Sequence, residues 1–161
     1  MRANTLRGVP SDLMQALYEG RRADAAALAA EREVDVFEAA SLGDHPSLAA
    51  LLRSDESLAQ SWSDDGFLAV HYACFFGTDD CTTTLLDAGA PIDEPSRNDM
   101  GVRPINSAAA GVHPFDNVRV LLARGADVHG RQKSGHTALD EARIREDQPL
   151  IDLLIQHGAT A

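Results

Sequence analysis

The sequence predicts an all-α fold, a solenoid of stacked helix–turn–helix units, and three observations carry that prediction. Glycines recur in two phased series: Gly66, Gly101 and Gly135 lie 35 and 34 residues apart, and Gly89, Gly125 and Gly158 lie 36 and 33 apart. Each glycine of the second series follows a Leu- or Ile-rich segment, Leu85-Leu86, Leu121-Leu122 or Leu154-Ile155, where apolar positions i, i+3 and i+4 share one helical face. Small residues, Ala39-Ala40, Ala73-Cys74, Ala108-Ala109-Ala110 and Ala142, stand in the same phase, where a bulky side chain would force neighbouring helices apart. A fixed period of this length marks a unit that cannot bury its apolar face alone and must stack on its neighbours.

Along the chain, residues 1–10 read as a tail and 11–33 as a truncated helix pair that caps the stack. In that pair Ala16 and Gly20 match Ala39 and Gly43 at a shortened spacing of 23, and the Ala25–Glu33 run is a strong helix former that supports a weakly packed cap. The repeat domain, 34–161, divides into four units at about 34–63, 64–98, 99–132 and 133–161. The first runs from Val36 to Asp44 and on to Leu48, Leu51 and Leu52. The second opens Gly66-Phe67-Leu68-Ala69-Val70-His71-Tyr72-Ala73, the third Gly101-Val102-Arg103-Pro104-Ile105-Asn106-Ser107-Ala108, and the fourth Gly135-His136-Thr137-Ala138-Leu139-Asp140-Glu141-Ala142. In the third unit Ala108 and Leu121 are 13 apart, where the two preceding units have 12, so one extra residue lies in the turn around Gly111-Val112-His113-Pro114. The fourth unit carries Asp140, Glu141, Arg143, Arg145, Glu146 and Asp147 on its first helix, as suits an end with one face in water. Gly89, Gly125 and Gly158 stand where a left-handed residue ends a helix without a Cβ penalty.

These units resemble the ankyrin repeat, which reads roughly G-x-T-P-L-H-x-A, a turn, an apolar helix ending Leu-Leu, and then Gly-Ala-Asp. The match is distributed: His71 is kept in the second unit, Pro104 in the third and Thr137 in the fourth, with Gly-Ala at residues 89, 125 and 158. It extends from about Ser11 to the carboxyl terminus. The resemblance implies an ankyrin solenoid with projecting turns, or fingers, beside a concave palm, acting as a non-catalytic adaptor for a protein partner. In the family's frame the fingers carry Asp64, Asp65 and Phe67; Asp99, Met100 and Val102; and Lys133, Ser134 and His136. The palm carries Ser41 and Leu42; Phe75 and Phe76; Ala110 and Gly111; and Ile144 and Arg145. His71 takes the position whose imidazole ties the finger turn to the helix start.

Phe67, Phe75 and Phe76, with Tyr72 and Trp62 nearby, gather most of a sparse aromatic content in one unit, and aromatic anchors dominate interface hot spots. Phe67 and Phe76 are expected to be exposed; the alternative is that some of these rings fill the seam between units. Arg97 and Arg103 would flank an acidic partner, or be solvated charges paired with Asp93, Glu94 and Asp99.

The chain's 161 residues carry 14 basic and 25 acidic side chains, a net charge of −11. That balance argues against nucleic acid and anionic membrane as partners, because such affinity comes from Lys and Arg. It favours a protein partner with a basic or mixed apolar/basic surface. The protein is expected to be a monomer or to self-associate weakly through Leu150, Ile151, Leu153 and Ile155. Two cysteines, Cys74 and Cys81, cannot form a disulfide framework, and no apolar run reaches signal-peptide or membrane-spanning length, so a cytoplasmic setting is expected. Six histidines lack metal-ligand spacing, nucleotide and hydrolase motifs are missing, and no cofactor or metal is expected. The alternative reading is a small-molecule binder or unusual enzyme, with a site built in the groove from His113, Asp116, Asn106 and the Phe75-Phe76 pair.

Overall fold

The computed structural model describes residues 10–160; the expected tail lies outside them except for Pro10. The described residues form ten α-helices: α1 (Asp12–Tyr18), α2 (Arg22–Glu31), α3 (Val36–Leu42), α4 (His45–Ser54), α5 (Ala69–Phe76), α6 (Asp79–Asp87), α7 (Pro104–Ala110), α8 (Pro114–Ala123), α9 (Ala138–Ile144) and α10 (Gln148–Gln156), with a 3-10 turn at Glu56–Gln60 after α4. Local chemistry starts several of them. Ser11, Asp35, Asp44, Thr137 and Asp147 each accept a hydrogen bond from a backbone N–H of the first turn, which satisfies donors the helix cannot. Proline occupies the first turn of α4, α8 and α10, where its missing N–H costs nothing.

The helices stack in two rows, α3 on α5 on α7 on α9, and α4 on α6 on α8 on α10, with α1 and α2 packed against α3. One apolar core runs the length of the stack. Its narrow row is built on Ala39, Ala40, Ala73, Cys74, Ala108, Ala109 and Ala142, all without exposed surface, and its wide row on Leu48, Leu85, Val118, Leu121, Leu150 and Leu154. Of the residues expected to drive self-association, Leu150 and Leu153 are already buried in this core and Ile155 is half exposed.

The expected left-handed residues adopt φ +87° at Gly89, +87° at Gly125 and +94° at Gly158. A different requirement governs Gly111. Its φ is ordinary, yet a Cβ there would stand 2.6 Å from the Cys74 carbonyl oxygen, and Gly77 meets the Ala40 carbonyl in the same way. The turn after α7 spans 111–113, one residue longer than the turn after α5, and its Val112 N–H donates to the Phe75 carbonyl at 2.8 Å.

Candidate functional site

The geometry of the concave face begins with one polar position in each first helix. Glu38, His71, Asn106 and Asp140 all accept a hydrogen bond from the backbone N–H three residues earlier, on Asp35, Leu68, Arg103 and Thr137, at 2.8–3.1 Å. Two of them also reach forward. Because His71 Nδ1 accepts from Leu68, its proton sits on Nε2, which donates to the Glu94 and Val102 carbonyls, each at 3.1 Å. Asn106 Nδ2 donates to the Gly130 carbonyl at 3.1 Å. The starts of α5 and α7 thereby hold the finger of the following unit. The fingers close on themselves through Ser63 N–H to Phe67 O, Ser96 N–H to Val102 O and Gln132 N–H to His136 O, and they join side by side through Arg97 N–H to Gly66 O and Lys133 N–H to Met100 O.

Between fingers and first helices lies a groove of about 450 Å³, lined chiefly by Phe67, Phe75, Phe76, Met100 and Val102, and also by Gln132 and Glu141. Phe75 is 36% exposed and Met100 53%. Phe67 is half-buried, stacked edge-to-face on His71 and Tyr72. Phe76 corrects the expectation of an exposed ring: it is only 7% exposed, held edge-to-face between Phe75 at 4.7 Å and Tyr18 at 5.3 Å. Phe67 likewise is not the fully exposed ring expected, since it is half-buried against His71 and Tyr72. Tyr18 itself lies outside the expected site. It stands two residues after Ala16, as Phe75 stands two after Ala73, so the phase that places the other palm residues would have found it.

The remaining expected residues, Asp64, Asp65, Asp99, Arg103, Lys133, His136 and Arg145, do not line this groove. Asp64, Asp99, Lys133, His136 and Arg145 are exposed, and Asp65 is half-buried with its carbonyl accepting from Asn98 Nδ2 at 2.9 Å. Arg145 spans from α9 to the preceding palm, donating to the Ala110 and Gly111 carbonyls at 2.8 and 3.2 Å. Arg97 and Arg103 are not paired with carboxylates among the described residues. The Arg97 guanidinium lies 3.9 Å over the Trp62 ring, and Arg103 Nη1 donates to the Asp93 carbonyl at 3.0 Å.

For chemistry, the arrangement offers little. Burial pushes the Cys74 thiol up to about 12 and raises that of Cys81, so neither is a thiolate at neutral pH. Burial holds His71 down at about 4. Asn106, Phe75 and Phe76 line the groove, but His113 and Asp116 do not, and among the described residues no three His, Cys, Asp or Glu side chains converge as metal ligands. No helix of the described residues is long and apolar enough to cross a membrane.

Residues 36–132 match the family model for ankyrin repeats, in three copies. The chain is 37% identical over 83 residues to an ankyrin repeat-containing protein of Treponema pallidum (strain Nichols), which covers 52% of this chain and 27% of that protein. It is 33% identical over 95 residues to the B-cell lymphoma 3 protein homolog of Mus musculus, covering 59% of this chain and 21% of that one. The match thus spans about a quarter of the length of either relative.

Proposed function

The chain belongs to the ankyrin repeat family, and from that premise we propose that it is a non-catalytic adaptor whose concave groove takes an apolar segment of a protein partner. Ankyrin repeats are generally protein–protein interaction modules. The observation that supports the placement is the groove itself, where Phe75 and Met100 present apolar surface to solvent on a scaffold pinned by His71 and Asn106. An exposed apolar patch rimmed by polar residues is the usual mark of a docking site. Glu141 lines the groove, and Asp64 and Asp65 stand on the finger that carries Phe67, so a basic residue flanking the apolar anchor completes the match in a chain of net charge −11. The two buried free thiols suit a reducing, cytoplasmic setting.

The test is crosslinking capture with wild type beside a Phe75→Asp, Met100→Asp double variant. Both positions are exposed, so the variant keeps the core, and far-UV circular dichroism verifies its fold. The proteins captured by wild type are expected to be lost from the variant, and the association rate is expected to fall as ionic strength rises. A folded double variant that retains the same proteins in the same yield sinks the reading.

A further inference from the structure

We propose that a second groove, between the last two fingers, binds an acidic peptide segment of a protein partner through Arg97, Arg103, Arg131 and Lys133. This groove encloses about 550 Å³ and is lined by these four cations, by Asp99, and by loop residues including Ser96 and Asn98. In a chain of net charge −11, four of its 14 basic side chains, including its single lysine, converge on one cleft. Gathering like charges costs Coulomb energy, which an anion in the cleft returns.

Each cation is positioned by a neutral group, so its charge is kept. The Arg97 guanidinium lies over the Trp62 ring, 3.9 Å from its centre. The Arg103 stem occupies the space left by the missing side chain of Gly130, where a Cβ would stand 2.7 Å from Cδ. Its Nη1 is fixed on the Asp93 carbonyl, and its Nε is buried with no hydrogen-bond acceptor among the described residues. Arg131 Nη1 donates to the Gly135 carbonyl at 2.7 Å. Lys133 Nζ reaches the Asn98 carbonyl at 3.5 Å and is 3.9 Å from the Asp99 carboxylate, which is itself fully exposed and a weak partner. The backbone beneath is held by Lys133 N–H to Met100 O and Arg97 N–H to Gly66 O.

Planar guanidiniums held in this way match carboxylates by paired N–H donors. Several separate cations lining one cleft suit a segment that carries more than one Asp or Glu side chain. A phosphate polyanion is the poorer match, because its denser charge meets stronger repulsion from the rest of an acidic molecule than a few spaced carboxylates do. Gln132 lines both grooves, so the two adjoin there.

The probe is a fluorescent Glu-rich decapeptide, titrated into the full chain and followed by anisotropy. Saturable binding is expected, weakened by salt, and reduced roughly tenfold or more by Arg131→Ala with Lys133→Ala, since each contact removed is a hydrogen bond to a charged group. Both side chains are exposed, and an unchanged thermal melt verifies the fold of the variant. Absence of saturable binding to wild type, or equal affinity of the double variant, overturns the proposal. Preferential binding of inorganic polyphosphate overturns the choice of a carboxylate peptide. Sedimentation of the chain alone supplies the last arm: self-association that the double variant abolishes would assign the cleft to a second copy and overturn it. Phe75 and Met100 are untouched throughout, so the concave-groove reading stands or falls separately.

Discussion

His71 shows how one side chain couples the fold to pH. Burial lowers its pKa from the ordinary 6.5 to about 4, against three hydrogen bonds to backbone groups. The folded chain therefore keeps the ring neutral while the unfolded chain takes up a proton, and stability falls as pH drops from 6.5 towards 4. Asn106 makes the same two-ended connection in the next unit without a titrating group. His71→Asn is therefore expected to fold, to lose about 1 kcal/mol at neutral pH from imperfect packing and bonding, and to flatten the stability profile between pH 6.5 and 4. Urea unfolding across that range reads the slope, and an unchanged slope refutes the assignment. Glu38 acts lower down. Burial pushes its carboxyl up, but hydrogen bonds from Arg32, Ser11 and the Asp35 N–H outweigh it and hold the pKa below the ordinary 4.5. Its contribution is complete above that value and is lost as pH falls below it. Glu38→Gln, which also breaks the 2.6 Å pair with Arg32, is expected to destabilise the chain at neutral pH and to weaken the remaining acid sensitivity in the same titration.

At the scale of the element, what decides stability is contact between units about one period apart. Gly111→Ala drives a Cβ into the carbonyls of Cys74 and Phe75, and the expected cost is about 1–3 kcal/mol, as for other overpacked sites. Gly125→Ala meets nothing within 4 Å and pays only for its φ of +87°, about 1 kcal/mol. Paired denaturation curves check the order, which a larger loss at Gly125 would reverse. Asn117 makes a related link: it accepts from Thr82 Oγ1 at 2.7 Å and donates to the Cys74 carbonyl at 3.3 Å, all in the core. The phase of glycines, alanines and leucines made the repeat family and the all-α stack legible, because those residues answer to local helix geometry. It could not disclose Gly111 or the Thr82–Asn117 bond, whose reasons lie in a neighbouring unit. The groove was legible by position and misjudged by direction. Phe75 and Phe76 are adjacent on one helix and point about 100° apart, so only one faces the groove squarely, and Tyr18 covers the other.

Over the whole molecule, stacking makes stability the sum of unit and seam contributions, so the ends should open before the middle. The amino-terminal end is the weaker. Helix α2 buries only Ala25 and has no side-chain cap at Arg21, whereas α5 buries Ala69 to Cys74 and Phe76 between α3 and α7. Besides Ala25 and the partly buried Leu28 and Ala29, α2 is tied to the stack by Arg22, whose guanidinium donates to the Leu42 carbonyl at 2.7 Å and to the Phe76 carbonyl at 3.0 Å. These acceptors close the ends of two successive first helices, so the link bears directly on the wall of the concave groove. Native-state hydrogen exchange is expected to find α2 least protected, α10 intermediate because Leu150, Leu153 and Leu154 are buried, and α5 and α7 slowest. Arg22→Ala is expected to speed exchange across α1 and α2 while leaving α7 to α10 unchanged, since the Arg22 side chain reaches no further along the stack than the end of α5. Equal protection from α1 to α10, or a rise in exchange at α10 on loss of Arg22, would mean that the chain opens as one cooperative body and that the additive description is wrong.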